Sequence, residues 1–88
     1  MGSYTIQVGN QEKHELMYTF GFTGRITAYV DGRQITSFDS PIVGGGESST
    51  KFEIGNKEKH IIEIRAAKGS FFWMNIWVLQ DGEIIHKT

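Results

Sequence analysis

Few side chains in this sequence can do chemistry near neutral pH. His14, His60 and His86 are the only groups that titrate there. His14 and His60 each follow a turn at equivalent places in an internal repeat, which is a structural placement more often than a catalytic one. A histidine metal site needs the rings to converge with a carboxylate, and nothing in the spacing asks for that. No metal and no cofactor is expected. Ser37, Ser40, Ser48, Ser49 and Ser70 lack the Gly-x-Ser-x-Gly surroundings of an activated nucleophile. The run GGGESSTK invites a phosphate-binding reading, because consecutive backbone amides cradle anions. It fails in detail, since Lys51 is not preceded by Gly and no helix follows.

The carboxylates Glu12, Glu15, Asp39, Glu47, Glu53, Glu58, Glu63 and Glu83 are dispersed among turns and polar strand faces, where they read as a solvated surface. Paired acids for glycoside hydrolysis would need a defined separation across a cleft. The basic residues Arg25, Lys51, Lys59, Arg65 and Lys68 alternate with acids and form no channel for single-stranded nucleic acid. With a formal charge of −1, neither nucleic acid nor an anionic membrane is an expected partner. The sequence argues against an enzyme.

The elements that must position these residues are strands. Eighty-eight residues make one small domain, taken as 1–88, and the absence of cysteine leaves its stability to the core. Eleven glycines, one proline and many β-branched and aromatic residues point away from helix. Alternation marks strands at Tyr4–Val8, Leu16–Phe22, Ile26–Val30, Gln34–Phe38, Lys51–Ile54, Ile61–Ala66, Phe71–Leu79 and Glu83–His86. Asp31-Gly32 and Asp81-Gly82 fit type I′ hairpin turns. Residues 39–49, with Pro41 and Gly44-Gly45-Gly46, read as the one long loop.

The two halves, about 3–38 and 50–87, resemble each other. Val8-Gly9-Asn10-Gln11-Glu12-Lys13-His14 recurs as Ile54-Gly55-Asn56-Lys57-Glu58-Lys59-His60, and Tyr29-Val30-Asp31-Gly32 is echoed by Leu79-Gln80-Asp81-Gly82. Two four-stranded units, each with an apolar face it cannot bury alone, predict an all-β antiparallel sandwich of about eight strands. The core face of the first half is Ile26, Ala28 and Val30, joined across the hairpin by Ile35. Registering the Asp-Gly turns puts Phe72, Met74, Ile76, Val78 and Ile85 on the core face of the second. Phe71, Trp73, Asn75, Trp77 and Leu79 then point outward, with Trp77 opposite His86 and Leu79 opposite Ile84.

The nine-residue stretch FFWMNIWVL is too short for a membrane helix, which needs roughly 20 apolar residues. Its outward aromatics read either as an interaction surface or as a face covered by the 39–49 loop or a chain end. Phe71, Trp73 and Trp77, with Tyr29 and His86, are the candidate protein-contact residues, because large aromatics carry interface energy with few rotors to freeze. The alternatives are a sugar- or lipid-binding sandwich that uses the rings as a platform, and a homodimer whose seam is the aromatic face. The missing cysteines and the lack of a signal-peptide pattern suggest the cytoplasm.

GRITAYVDGRQI (24–35), GGESSTKFEIGN (45–56), KHIIEIRAAKG (59–69) and WVLQDGEII (77–85) resemble the Fas apoptotic inhibitory molecule family, most closely its C-terminal domain. The likeness covers most of the chain from about His14 to Lys87. It implies an all-β sandwich in a cytosolic, non-enzymatic regulator that restrains death-receptor apoptosis and protects against stress-induced protein aggregation. The implied partners are components of death-receptor signalling or misfolded proteins. The chain has the length of only one of the two similar domains of the animal proteins and lacks cysteine.

Overall fold

The computed structural model describes residues 2–21, 24–40, 46–68 and 74–88. Eight strands follow one another in chain order: β1 (Gly2–Val8), β2 (His14–Phe20), β3 (Arg25–Val30), β4 (Arg33–Asp39), β5 (Glu47–Ile54), β6 (His60–Lys68), β7 (Met74–Gln80) and β8 (Glu83–Lys87). They form two antiparallel sheets in simple meander order, β1-β2-β3-β4 and β5-β6-β7-β8. Each sequence half thus builds one sheet, and the expected all-β sandwich of eight strands is what the chain adopts.

One apolar face of each sheet supplies the core. Val8, Leu16, Tyr18, Ile26 and Ala28 from the first sheet meet Ile54, Ile62, Ile64, Ala66, Ile76 and Val78 from the second in a single buried cluster. The register keeps equivalent pairs together while their sizes differ. Large Tyr18 lies across from small Ala28, whereas Ile64 lies across from Val78. Such trades hold the volume between the sheets nearly constant, as close packing requires.

Both Asp-Gly turns have positive φ at both residues, 52° and 83° at Asp31 and Gly32, 52° and 86° at Asp81 and Gly82, as a type I′ turn requires. Two expectations next to them are corrected. Ile35 and Ile85 do not join the core; they are 41% and 40% exposed. Ala28 pairs with Thr36 and Tyr29 with Gln34, while Val78 pairs with His86 and Leu79 with Ile84, so Ile35 and Ile85 are extra residues in matching β-bulges. A bulge reverses the facing of every residue beyond it on that strand. A third correction concerns the loop: Glu47–Ser49 belong to β5 and pair with Ala67–Arg65, and Asp39 belongs to β4. Their polar side chains hid a strand that backbone pairing alone defines.

The turns after β1 and β5 depend on glycine. Gly9 and Gly55 have φ of 93° and 102°, and a Cβ there would lie 2.2 Å from the Glu12 carbonyl oxygen and 1.8 Å from that of Glu58. Gly82 shares the positive φ but has open space around its α-carbon. Gly55→Ala therefore meets backbone as well as an unfavourable φ and is expected to cost about 3 kcal/mol or more. Gly82→Ala is expected to cost about 1 kcal/mol, the left-handed conformation alone. Urea denaturation of the two variants at one pH checks the difference in size.

Candidate functional site

Two constellations emerge, one between the sheets and one on an outer face. The first is built from the repeated turns. The Glu12 carboxylate accepts hydrogen bonds from the backbone N–H groups of Asn56, Lys57 and Glu58, at 2.7, 2.8 and 3.1 Å. In return, the Glu58 carboxylate accepts from the N–H groups of Asn10, Gln11 and Glu12, at 2.6, 2.9 and 3.4 Å. Three successive amides turned to one side make an anion nest, and each half fills the other's. Gly9 N–H adds a bond across the halves to the Gln80 side-chain oxygen, 2.8 Å.

Each glutamate also holds a histidine of its own half. His14 Nε2 lies 2.6 Å from Glu12 and Nδ1 2.6 Å from Asp31; His60 Nε2 lies 2.7 Å from Glu58 and Nδ1 2.5 Å from Asp81. Asp31 and Asp81 in turn accept from the N–H groups of Glu15 and Ile61. A neutral imidazole has one N–H, yet both nitrogens here face carboxylates, so the bonds are complete only in the protonated ring. The neighbouring carboxylates, Asp31 then Glu12 for His14, and Asp81 then Glu58 for His60, raise both histidine pKa values above 6.5. Glu12 is pulled down to about 2, chiefly by the Asn56 N–H and then His14, and Glu58 to about 2, chiefly by His60 and then the Asn10 and Gln11 N–H groups. Asp31 and Asp81 are lowered by their histidines. Both nitrogens of each ring are committed, which leaves neither free to serve as a base. Among the described residues no three such side chains are arranged to hold a metal ion.

The sequence showed the repeat and the structural placement of His14 and His60. It did not show that Glu12 and Glu58 reach across the halves. The recurring Gly-Asn-x-Glu-Lys-His spacing was the available signal.

The second constellation lies on the outer face of β5–β8. Ile76 and Val78 are buried in the core, so Trp77 and Leu79 between and beyond them face outward. Trp77, Leu79 and Ile84 line an open recess with Glu47 and Arg65. Arg65 bonds to Glu63 at 3.1 Å and reaches Glu47 at 3.7 Å, and Lys87 Nζ stands over the Trp77 ring, 5.7 Å from its centre. Leu79 is nearly covered, while Ile84, at 58%, is the most exposed of the large apolar side chains described.

The five sequence candidates do not form one surface. Trp77 is on this face. Tyr29 is half-buried on the outer face of the other sheet, paired with Met17 and Gln34. His86 is a correction: it pairs with Val78, not Trp77, because the bulge at Ile85 turns it inward. There its Nε2 is 3.0 Å from the Tyr18 hydroxyl, and its ring lies 5.8 Å from that of Tyr4. Burial pushes the Tyr18 hydroxyl up to about 12. Phe71 and Trp73, like the expected core residue Phe72, lie outside the described residues.

No family model, curated protein or solved structure matches the chain.

The doubled charge cluster sets a pH profile for stability. Glu12 and Glu58 have folded pKa values below the unfolded 4.5, so their contribution is complete above pH 4.5 and is lost as pH falls toward about 2. His14 and His60 have raised values, so their contribution is complete below pH 6.5 and is lost as pH climbs through the folded pKa. Urea midpoints should be highest between pH 4.5 and 6.5 and fall on both sides. The His14→Gln/His60→Gln protein should lose the alkaline decline and keep the acid one.

Proposed function

We propose that this chain is a non-enzymatic protein-interaction domain whose contact surface is the outer face of β5–β8, centred on Trp77, Leu79 and Ile84. The observation that carries this reading is the gathering of Trp77, Leu79 and Ile84 around one recess, at positions where the first sheet carries Thr27, Tyr29 and Gln34. Residues Ser3, Thr19, Thr27 and Ser37 form one cross-strand row on the first sheet, and the register of the second places Ser49, Arg65, Trp77 and Lys87 in the equivalent row. Ile84 stands where the first half has Gln34. An apolar centre rimmed by Arg65, Glu47 and Lys87 has the anatomy of a protein contact, with an aromatic anchor and charged residues outside it.

The resemblance to the Fas apoptotic inhibitory molecule family supports a cytosolic regulator that limits death-receptor apoptosis and shields misfolding proteins from aggregation. An apolar recess with half-buried Trp77 in its wall and exposed Ile84 beside it suits the second role directly, because misfolded chains expose apolar segments. The small-molecule alternative is less favoured, since Lys87 already stands over the Trp77 ring.

A light-scattering assay with a thermally destabilised client protein tests the reading. The wild-type chain should suppress client aggregation, and Ile84→Lys and Trp77→Ala should each weaken suppression at least fivefold, about 1 kcal/mol or more at a contact anchor. Ile84→Lys should leave the melting temperature nearly unchanged, because its side chain is mostly in solvent. Equal suppression by Ile84→Lys and wild type would overturn the assignment.

A further inference from the structure

We infer that β1 is a pairing edge for a second copy of this chain, joining two first sheets into one continuous eight-stranded sheet. Four strands stand at sheet edges: β1, β4, β5 and β8. Three carry the features that discourage strand addition. β4 has Arg33, Asp39 and the bulge at Ile35; β5 has Glu47, Lys51 and Glu53; β8 is five residues long, with Glu83, Lys87 and the bulge at Ile85.

β1 has none of them. Its seven residues, GSYTIQV, contain no charge and no proline, and they pair with β2 without a register break from Gly2 opposite Phe20 to Val8 opposite His14. Among the described residues, the backbone groups of β1 bond only within this ladder, so those on its outer side are open. Gly2 to Thr5 are all exposed, and among the described residues Tyr4, at 38%, is the one aromatic of the large exposed apolar side chains.

The geometry selects a second copy as the occupant. Two antiparallel β1 strands related by a two-fold axis at Thr5 pair all seven residues. In that register Tyr4 lies opposite the partner's Ile6, Ser3 opposite the partner's Gln7, and Thr5 opposite the partner's Thr5. Every inward side chain meets an inward one, because a shift by an even number of residues preserves the facing. Tyr4 and Ile6 belong to the inner row, Tyr4 stacking on Tyr18 and Phe20 and Ile6 packing against the core. Pairing therefore extends the apolar layer of each copy into the other. The two-fold arrangement is self-complementary, and an uncharged strand places no like charges opposite each other.

Sedimentation velocity from about 1 µM to about 1 mM reads the result directly. The wild-type chain should move from one chain's 9.9 kDa toward twice that mass as concentration rises. Thr5 is exposed and outward, so Thr5→Lys and Thr5→Glu keep the fold while setting like charges across the two-fold axis, and each should weaken dimerisation about fivefold. An equimolar mixture of the two variants should dimerise more tightly than either alone. Amide exchange in β1 should slow with concentration in the wild type, a readout that does not depend on the variants folding. A wild-type monomer at every concentration overturns the inference and leaves the edge to a foreign strand. A dimer indifferent to both Thr5 substitutions, with unprotected β1 amides, overturns it in favour of the Trp77 face.

Discussion

The structure depends on a carboxylate placed in the turn of the opposite half. Glu12 and Glu58 each satisfy three backbone N–H groups that a tight turn leaves without strand partners. Each half gathers a Glu and an Asp carboxylate around its turn, and the histidine between them offsets that negative charge when its ring is protonated. The glycines follow from the same arrangement, because Gly9 and Gly55 sit where the peptide carbonyl of the clamping glutamate leaves no room for a side chain. Gly, Glu, His and the Asp of the distant hairpin are one interdependent set. The angle and spacing between the sheets are fixed at that end by charge-assisted hydrogen bonds, while the apolar core, which has no directionality of its own, fills the rest.

Much of this was legible in the sequence, for reasons that differ by element. The strands and Asp-Gly hairpins announce themselves through alternation and through residues that accept positive φ. The halves declare their kinship through the repeated turn. The reach of Glu12 and Glu58 is illegible, because spacing within one half says nothing about a partner in the other. The bulges are hidden by their own chemistry. Ile35 and Ile85 continue an apolar run and imitate a core position, yet each is the unpaired extra residue of its strand, and His86 consequently ends inside the molecule beside Tyr18. The polar start of β5 was obscured for the opposite reason: edge strands tolerate side chains that carry no alternation signal.

The internal repeat also separates what the fold requires from what it does not. Positions where the halves agree, such as Leu16 with Ile62 and Ile26 with Ile76, are demanded by packing. Some differences in the interior are compensated, as when Tyr18 with Ala28 is answered by Ile64 with Val78, and Thr36 by His86 hydrogen-bonded to that same Tyr18. These restore volume and polar satisfaction within one core.

Differences on the outer faces have no such compensation to make. Thr27 and Gln34 show that the same sheet architecture is content with polar residues at these positions, yet the second half carries Trp77 and Ile84 there. Apolar side chains in solvent weaken solubility and add little to the core. Their placement together around one recess, where the first half carries Thr27 and Gln34, is the ground of the contact surface proposed for the second sheet. The fold constrains the molecule symmetrically, and the asymmetry of its surface is where a function can be written without disturbing the clamp that holds the halves together.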